Sequence, residues 1–144
     1  MTSTELAVSL ENWLNGMTAM LRLEIDNGAV ALMRHAQGIA CCAAIPLPMA
    51  VDETVLERAL QLAGSARMQY GEDAAALSLS AQDEQLWLWM KHEPDDALQL
   101  CRCLEALLNQ RDVWLGMLLP ALRSAAPGPL NLNTLAFLQG ERHA

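Results

Sequence analysis

The opening stretch, "TSTELAVSLENWLNGM", spaces Leu6, Leu10, Trp13, Leu14 and Met17 along one helical face. Thr2 with Glu5 three residues on forms a capping-box pattern, and Gly16 suits the helix end. The period then changes to two. "LRLEID" sets Leu21, Leu23 and Ile25 against Arg22, Glu24 and Asp26, and "DNG" at residues 26 to 28 predicts a hairpin, because Asn and Gly tolerate positive φ. "AVALMRH" continues to a turn near "AQG", and the run "IACCAAIPL" is apolar on both faces, giving a three-strand meander.

After the proline-marked "PLPM", Asp52 is placed to cap a helix, "ETVLERALQLAG", predicted to end near Gly64. "AAALSLS" and "EQLWLWMKHE" flank the turn "AQDE" as a second hairpin. "PDDALQLCRCLEALLNQRDVWLGMLL" opens with a proline and two aspartates, carries a stripe through Leu100, Leu104, Leu107, Trp114 and Leu118, and is predicted to stop at Pro120. The order α-β-β-β-α-β-β-α reads as an α+β fold: an antiparallel five-stranded sheet with three main helices. Residues 1–122 form the domain; residues 123–144, with "RSAAPGPLNLN", read as a linker and tail with room for a short helix.

Two patterns leave apolar surface over. In "QLWLWMK", Leu86, Leu88 and Met90 take one face of a strand while Trp87 and Trp89 take the other. Each indole has ~150 to 250 Å² to bury, so the tryptophan face needs a cover: a helix of this chain, a second copy, or a foreign segment. On the second helix, Val55, Leu56, Ala59, Leu60, Leu62 and Ala63 span more than the ~100° stripe that a surface helix buries, so it is expected to pack on two things.

Composition sharpens this reading. At 144 residues and 53% hydrophobic content, the chain holds more apolar material than one domain of this size usually hides. Eight methionines against one phenylalanine suit an adaptable groove, for which Met17, Met20, Met33, Met68 and Met90 are available. The net charge of -8 opposes a nucleic-acid backbone and favours cationic or amphipathic partners. No run is long enough to cross a bilayer, and the N-terminus lacks the basic-then-apolar pattern of a signal peptide, so the protein is expected in the cytosol.

Sequence motifs for chemistry are missing. There is no glycine-rich phosphate loop, nucleophile elbow or HExxH pattern, and His35, His92 and His143 stand far apart. The spacing of Cys41-Cys42 and of Cys101 with Cys103 suits neither a disulfide nor a chelate, so all four read as small buried residues. No metal, cofactor or catalytic residue is expected. A small enzyme using a carboxylate pair or His35 would need a deep polar pocket.

Three passages together resemble the class I chaperones of type III secretion systems: "DNGAVALMRH", "ETVLERALQLAG" and "LSLSAQDEQLWLWMKHEPDDALQLCRCLEALL". The resemblance covers residues 3 to about 119. It implies a cytosolic, non-enzymatic homodimer, with the second helix at the two-fold axis, that holds the N-terminal region of secreted effector proteins extended and directs it to the secretion apparatus, with the secretion ATPase as a further partner. Leu6, Leu10, Trp13, Leu14, Trp87, Trp89 and Met90 are then the expected cargo contacts. Val55, Leu56, Ala59, Leu60 and Ala63 are the expected dimer contacts. The alternative is a dimeric adaptor of the same fold that binds a folded partner.

Overall fold

The computed structural model describes residues 1–93 and 96–125. Its elements run α1 (Ser3–Asn15), β1 (Met20–Ile25), β2 (Gly28–His35), β3 (Gly38–Ala44), α2 (Glu53–Tyr70), a 3-10 turn (Gly71–Asp73), β4 (Ala76–Leu79), β5 (Leu86–His92) and α3 (Ala97–Ala125). This is the expected α+β order. The strands form one antiparallel sheet in the order β1-β2-β3-β5-β4, so the two hairpins meet along β3 and β5.

Local chemistry accounts for the boundaries. The capping box at α1 is present: the Thr2 N–H donates to Glu5 Oε2 at 2.7 Å, and the Glu5 N–H donates to Thr2 Oγ1 at 3.2 Å. Asp52 caps α2 by accepting from the Val55 N–H at 3.0 Å, and Asp96 accepts from the Gln99 N–H at 2.8 Å at the start of α3. The β1–β2 turn differs from expectation by one residue. Ile25 pairs with Gly28, so the two-residue loop is Asp26 and Asn27, both at positive φ (51° and 62°), and Gly28 already belongs to β2. Glycine stands there because a Cβ would lie 2.7 Å from the Arg111 guanidinium.

Two helix ends are corrected. Helix α2 runs through Gly64 to Tyr70 and stops at Gly71, whose φ of 60° and ψ of -126° form a backbone conformation that glycine adopts readily. A glycine inside a helix costs about 1 kcal/mol, too little to end one whose next residues, Ala66 to Met68, favour it. Helix α3 passes Pro120 and continues to Ala125. Proline removes one backbone hydrogen bond, to the carbonyl of Gly116, and the helix carries that loss. The predicted linker therefore begins inside α3, and from residue 126 onward, including His143, it lies outside the described residues, as do Pro94 and Asp95.

One core lies between the sheet and α3. It gathers Val30, Leu32, Cys41, Ala43, Leu86 and Leu88 from the sheet, Leu100, Leu104, Leu107, Trp114 and Leu118 from α3, Leu10 and Trp13 from α1, and Val55 and Ala59 from α2. Helix α3 lies on β3 and β5, and α1 and α2 pack on α3. At the sheet margins, β1 carries Arg22 and Glu24, whereas the four residues of β4 carry no charge.

Polar side chains tie the layers together. Arg111, buried on α3, donates to the Ile25 carbonyl at 3.0 Å and lies 3.9 and 3.6 Å from the carboxylates of Asp26 and Asp112, which fastens the first hairpin. Gln110, also buried, accepts from the Ala75 N–H at 2.8 Å and donates to the Asp73 carbonyl at 2.7 Å, which fixes the approach to β4. Arg34 leaves β2 to donate to the carbonyls of Trp13, Leu14 (3.1 Å), Gly16 (3.3 Å) and Thr18 (3.1 Å) while stacking 4.5 Å from the Trp13 ring. A helix end with no basic residue in its last turn thus receives its cation from a strand.

Candidate functional site

Alternation along each strand sends one set of side chains to the core and the other to the opposite face. Strand pairing lines up that second set in rows across the sheet: Met20, Met33, Ala40 and Lys91; Arg22, Ala31, Cys42, Trp89 and Ala76; and Ala44, Trp87 and Ser78. The central strand has only small residues on this side, and they are covered: Ala40, Cys42 and Ala44 are at most 4% exposed although they lie outside the main core. Their cross-strand neighbours are Lys91, Trp89 and Trp87, so the two indoles roof the small residues of β3.

The outer sides of those indoles face an open groove of about 630 Å³. Met20, Arg22, Ala31, Met33, Ala76, Leu79, Asp83, Trp87 and Trp89 line it. Trp89 keeps 38% of its surface exposed, Met20 37% and Leu79 46%. Of the three helices, α3 alone packs broadly on the sheet, and it does so on the other face. No helix of the described chain covers the tryptophans.

One polar group is built into this wall. The Trp87 indole N–H is shared between both oxygens of Asp83, at 3.4 and 3.3 Å. Desolvation pushes the Asp83 carboxyl up, but hydrogen bonds from Ser80, the Gln85 N–H and the Trp87 indole together hold it below the usual carboxylate value. The turn that presents it is closed by the Ser80 N–H on the Gln85 carbonyl and by the Glu84 N–H on the Ser80 carbonyl, both 2.9 Å, with Glu84 at φ 54°.

The expected cargo residues divide. Trp87 and Trp89 lie in the groove. Leu10 (0% exposed) and Trp13 (5%) are interior residues joining α1 to the core, Leu6 and Leu14 pack partly against it, and Met90 faces the core beside Gln110. Of the methionines, Met20 and Met33 flank the groove, whereas Met17 and Met68 stand exposed elsewhere. Of the groove residues that the cargo set omitted, Arg22, Cys42 and Ala76 follow from counting strand registers outward from the two turns, whereas Asp83 lies in the turn itself and no register places it.

The expected dimer residues divide too. Val55 and Ala59 point into the core, while Leu56 and Ala63 are half-buried and Leu60 is 72% exposed. Leu56, Leu60, Gly64 and Met68 (89% exposed) form an outward stripe at four-residue spacing along α2.

Elsewhere, a second open hollow of about 560 Å³ beside the 3-10 turn is lined by His35, Glu72, Asp73, Lys91 and His92, among others. Cys41 and Cys42 are buried free thiols, while Cys101 and Cys103 are partly exposed, contrary to expectation, because they flank the buried Leu100 and Leu104 stripe of α3 on opposite sides. Among the described residues no group of three His, Cys, Asp or Glu side chains could hold a metal, and no helix is long and apolar enough to cross a membrane.

No protein-family profile and no curated protein matches the chain. Solved structures do resemble it in fold. A chain from the crystal structure of the ExsC–ExsE complex overlays with a TM-score of 0.59 at 12% identity, covering 81% of this chain and 95% of that one. A chain of the heterodimeric ExoU–SpcU complex from the type III secretion system of Pseudomonas aeruginosa gives 0.48 at 22% identity over 83% and 99%. One of the HopA1–SchA chaperone–effector complex gives 0.49 at 15% identity over 78% and 92%.

Proposed function

We propose that this chain is a cytosolic, non-enzymatic chaperone of the class I type III secretion kind, which keeps the N-terminal region of a secreted effector extended until export. The observation that carries this reading is the uncovered tryptophan groove. All the helices stand with the core on one side of the sheet, while the opposite face presents two indoles, two methionines and a floor of small residues. An apolar surface of this kind on a small acidic protein is the mark of a binding site. An extended segment suits it because side chains can enter the groove while a sheet margin pairs with the backbone. The shared fold with a chain of the ExsC–ExsE complex supports the reading. The protein works as a homodimer through the outward stripe of α2, where Leu56, Leu60 and Ala63 meet their copies. The secretion ATPase receives the loaded complex.

Co-expression with the N-terminal segment of a secreted effector encoded nearby tests this. The segment should copurify and resist protease while showing no folded structure of its own. Trp87→Ser and Trp89→Ser should each weaken its capture at least ten-fold and leave the circular dichroism spectrum unchanged. Capture of folded partners alone would point to an adaptor, and capture indifferent to both substitutions would remove the groove from recognition.

A further inference from the structure

The two tryptophans of the groove are held differently. Among the described residues Trp87 alone of the two has a hydrogen-bonded indole, and its acceptor, Asp83, is itself oriented by the Gln85 N–H at 3.1 Å and by the tight turn from Ser80 to Gln85. The bond runs from the turn back over four residues to a side chain on the outer face. Trp89, two positions along and more exposed, is anchored by packing on Cys42 and Ala76 across the strands. A side chain immobilised before binding spares the complex the entropy of fixing it.

We infer that Asp83 is a positioning residue for recognition: it holds Trp87 as a wall of the groove, against which the apolar side chains of a bound segment are sorted. This rests on the groove being the binding site. The carboxylate need not touch the bound segment; it acts through the indole N–H.

A double-mutant cycle separates this role from mere support of the turn. The probe is the neutral dye prodan, and its dissociation constant is read at the groove from the shift of the Trp89 indole resonance. Asp83→Ala should weaken prodan about three- to ten-fold, the scale set by freeing one large side chain. Asp83→Asn, which keeps an acceptor oxygen, should restore most of the affinity. In a Trp87→Phe background, where no N–H remains to be held, Asp83→Ala should have no further effect. Equal losses in both backgrounds, or none in either, overturn the positioning role while leaving the groove intact. Prodan binding with unchanged affinity to Trp89→Ser, followed there through the Trp87 resonance, overturns the groove reading as well.

Discussion

Arg34 shows how one side chain can finish an element to which it does not belong. Four carbonyls from Trp13 to Thr18 converge on its guanidinium, and the Trp13 ring lies beneath it. Arginine can satisfy several acceptors at once because its donors form a rigid fork, which lysine lacks. Arg34→Ala should therefore lower the unfolding free energy by about 1–3 kcal/mol, and Arg34→Lys should recover less than half of that. Urea midpoints at unchanged m value check both. None of this was legible along the sequence. Gly16 announced that α1 ends, but the partner that ends it lies 16 to 21 residues away, a distance no local pattern reports. Arg111 and Gln110 escaped for the same reason: polar residues on a helix read as its wet side until a hairpin and a strand approach fold against them.

At the scale of the element, periodicity located all three helices and five strands, because repeats of two and of 3.6 are imposed by the backbone itself. Punctuation was less dependable. Gly64 and Pro120 read as stops, yet glycine costs a helix only about 1 kcal/mol of backbone entropy and proline about 3 kcal/mol from one lost hydrogen bond and a crowded carbonyl, and both helices run past them. The structure divides the wide apolar arc of α2: Val55 and Ala59 serve the core, and Leu60 stands in the open. That division makes a clean test. Because Leu60 is 72% exposed in the single chain, Leu60→Glu should leave the protomer's fold unchanged and its own unfolding free energy within about 0.5 kcal/mol of the native. If α2 forms the proposed two-fold interface, light scattering should show monomer in place of dimer, since the charge would be buried unpaired there. An unchanged dimer would take α2 out of the interface.

For the molecule as a whole, the layer arrangement was only half legible. Alternation told that Leu86 and Trp87 face opposite ways, but not which face the helices choose, since a helix can settle on either side of a strand that is apolar on both. The choice is resolved by the long stripe of α3, whose leucines are matched to Leu32, Cys41 and Leu88. One consequence is that β3 is enclosed on both faces. Burial pushes the thiols of Cys41 and Cys42 up to about 12 from an ordinary value of 9.0; for Cys41, charge repulsion from Cys103 and Cys42 adds to the effect. Both thiols therefore stay neutral in the folded protein while they ionise in the unfolded chain. Stability from this source is complete below pH 9 and is lost as pH rises toward 12, at about 1.4 kcal/mol per pH unit for each thiol. Urea midpoints from pH 7 to 10.5 should show the decline, and the double replacement by alanine should flatten it.

The two margins of the sheet are not equal. On β1, Arg22 and Glu24 keep the border solvated, whereas β4 is only four residues long and presents Ala76, Leu77, Ser78 and Leu79. Four residues offer too few ladder bonds to seed a stack of copies, so shortness guards the β4 border where charge guards that of β1.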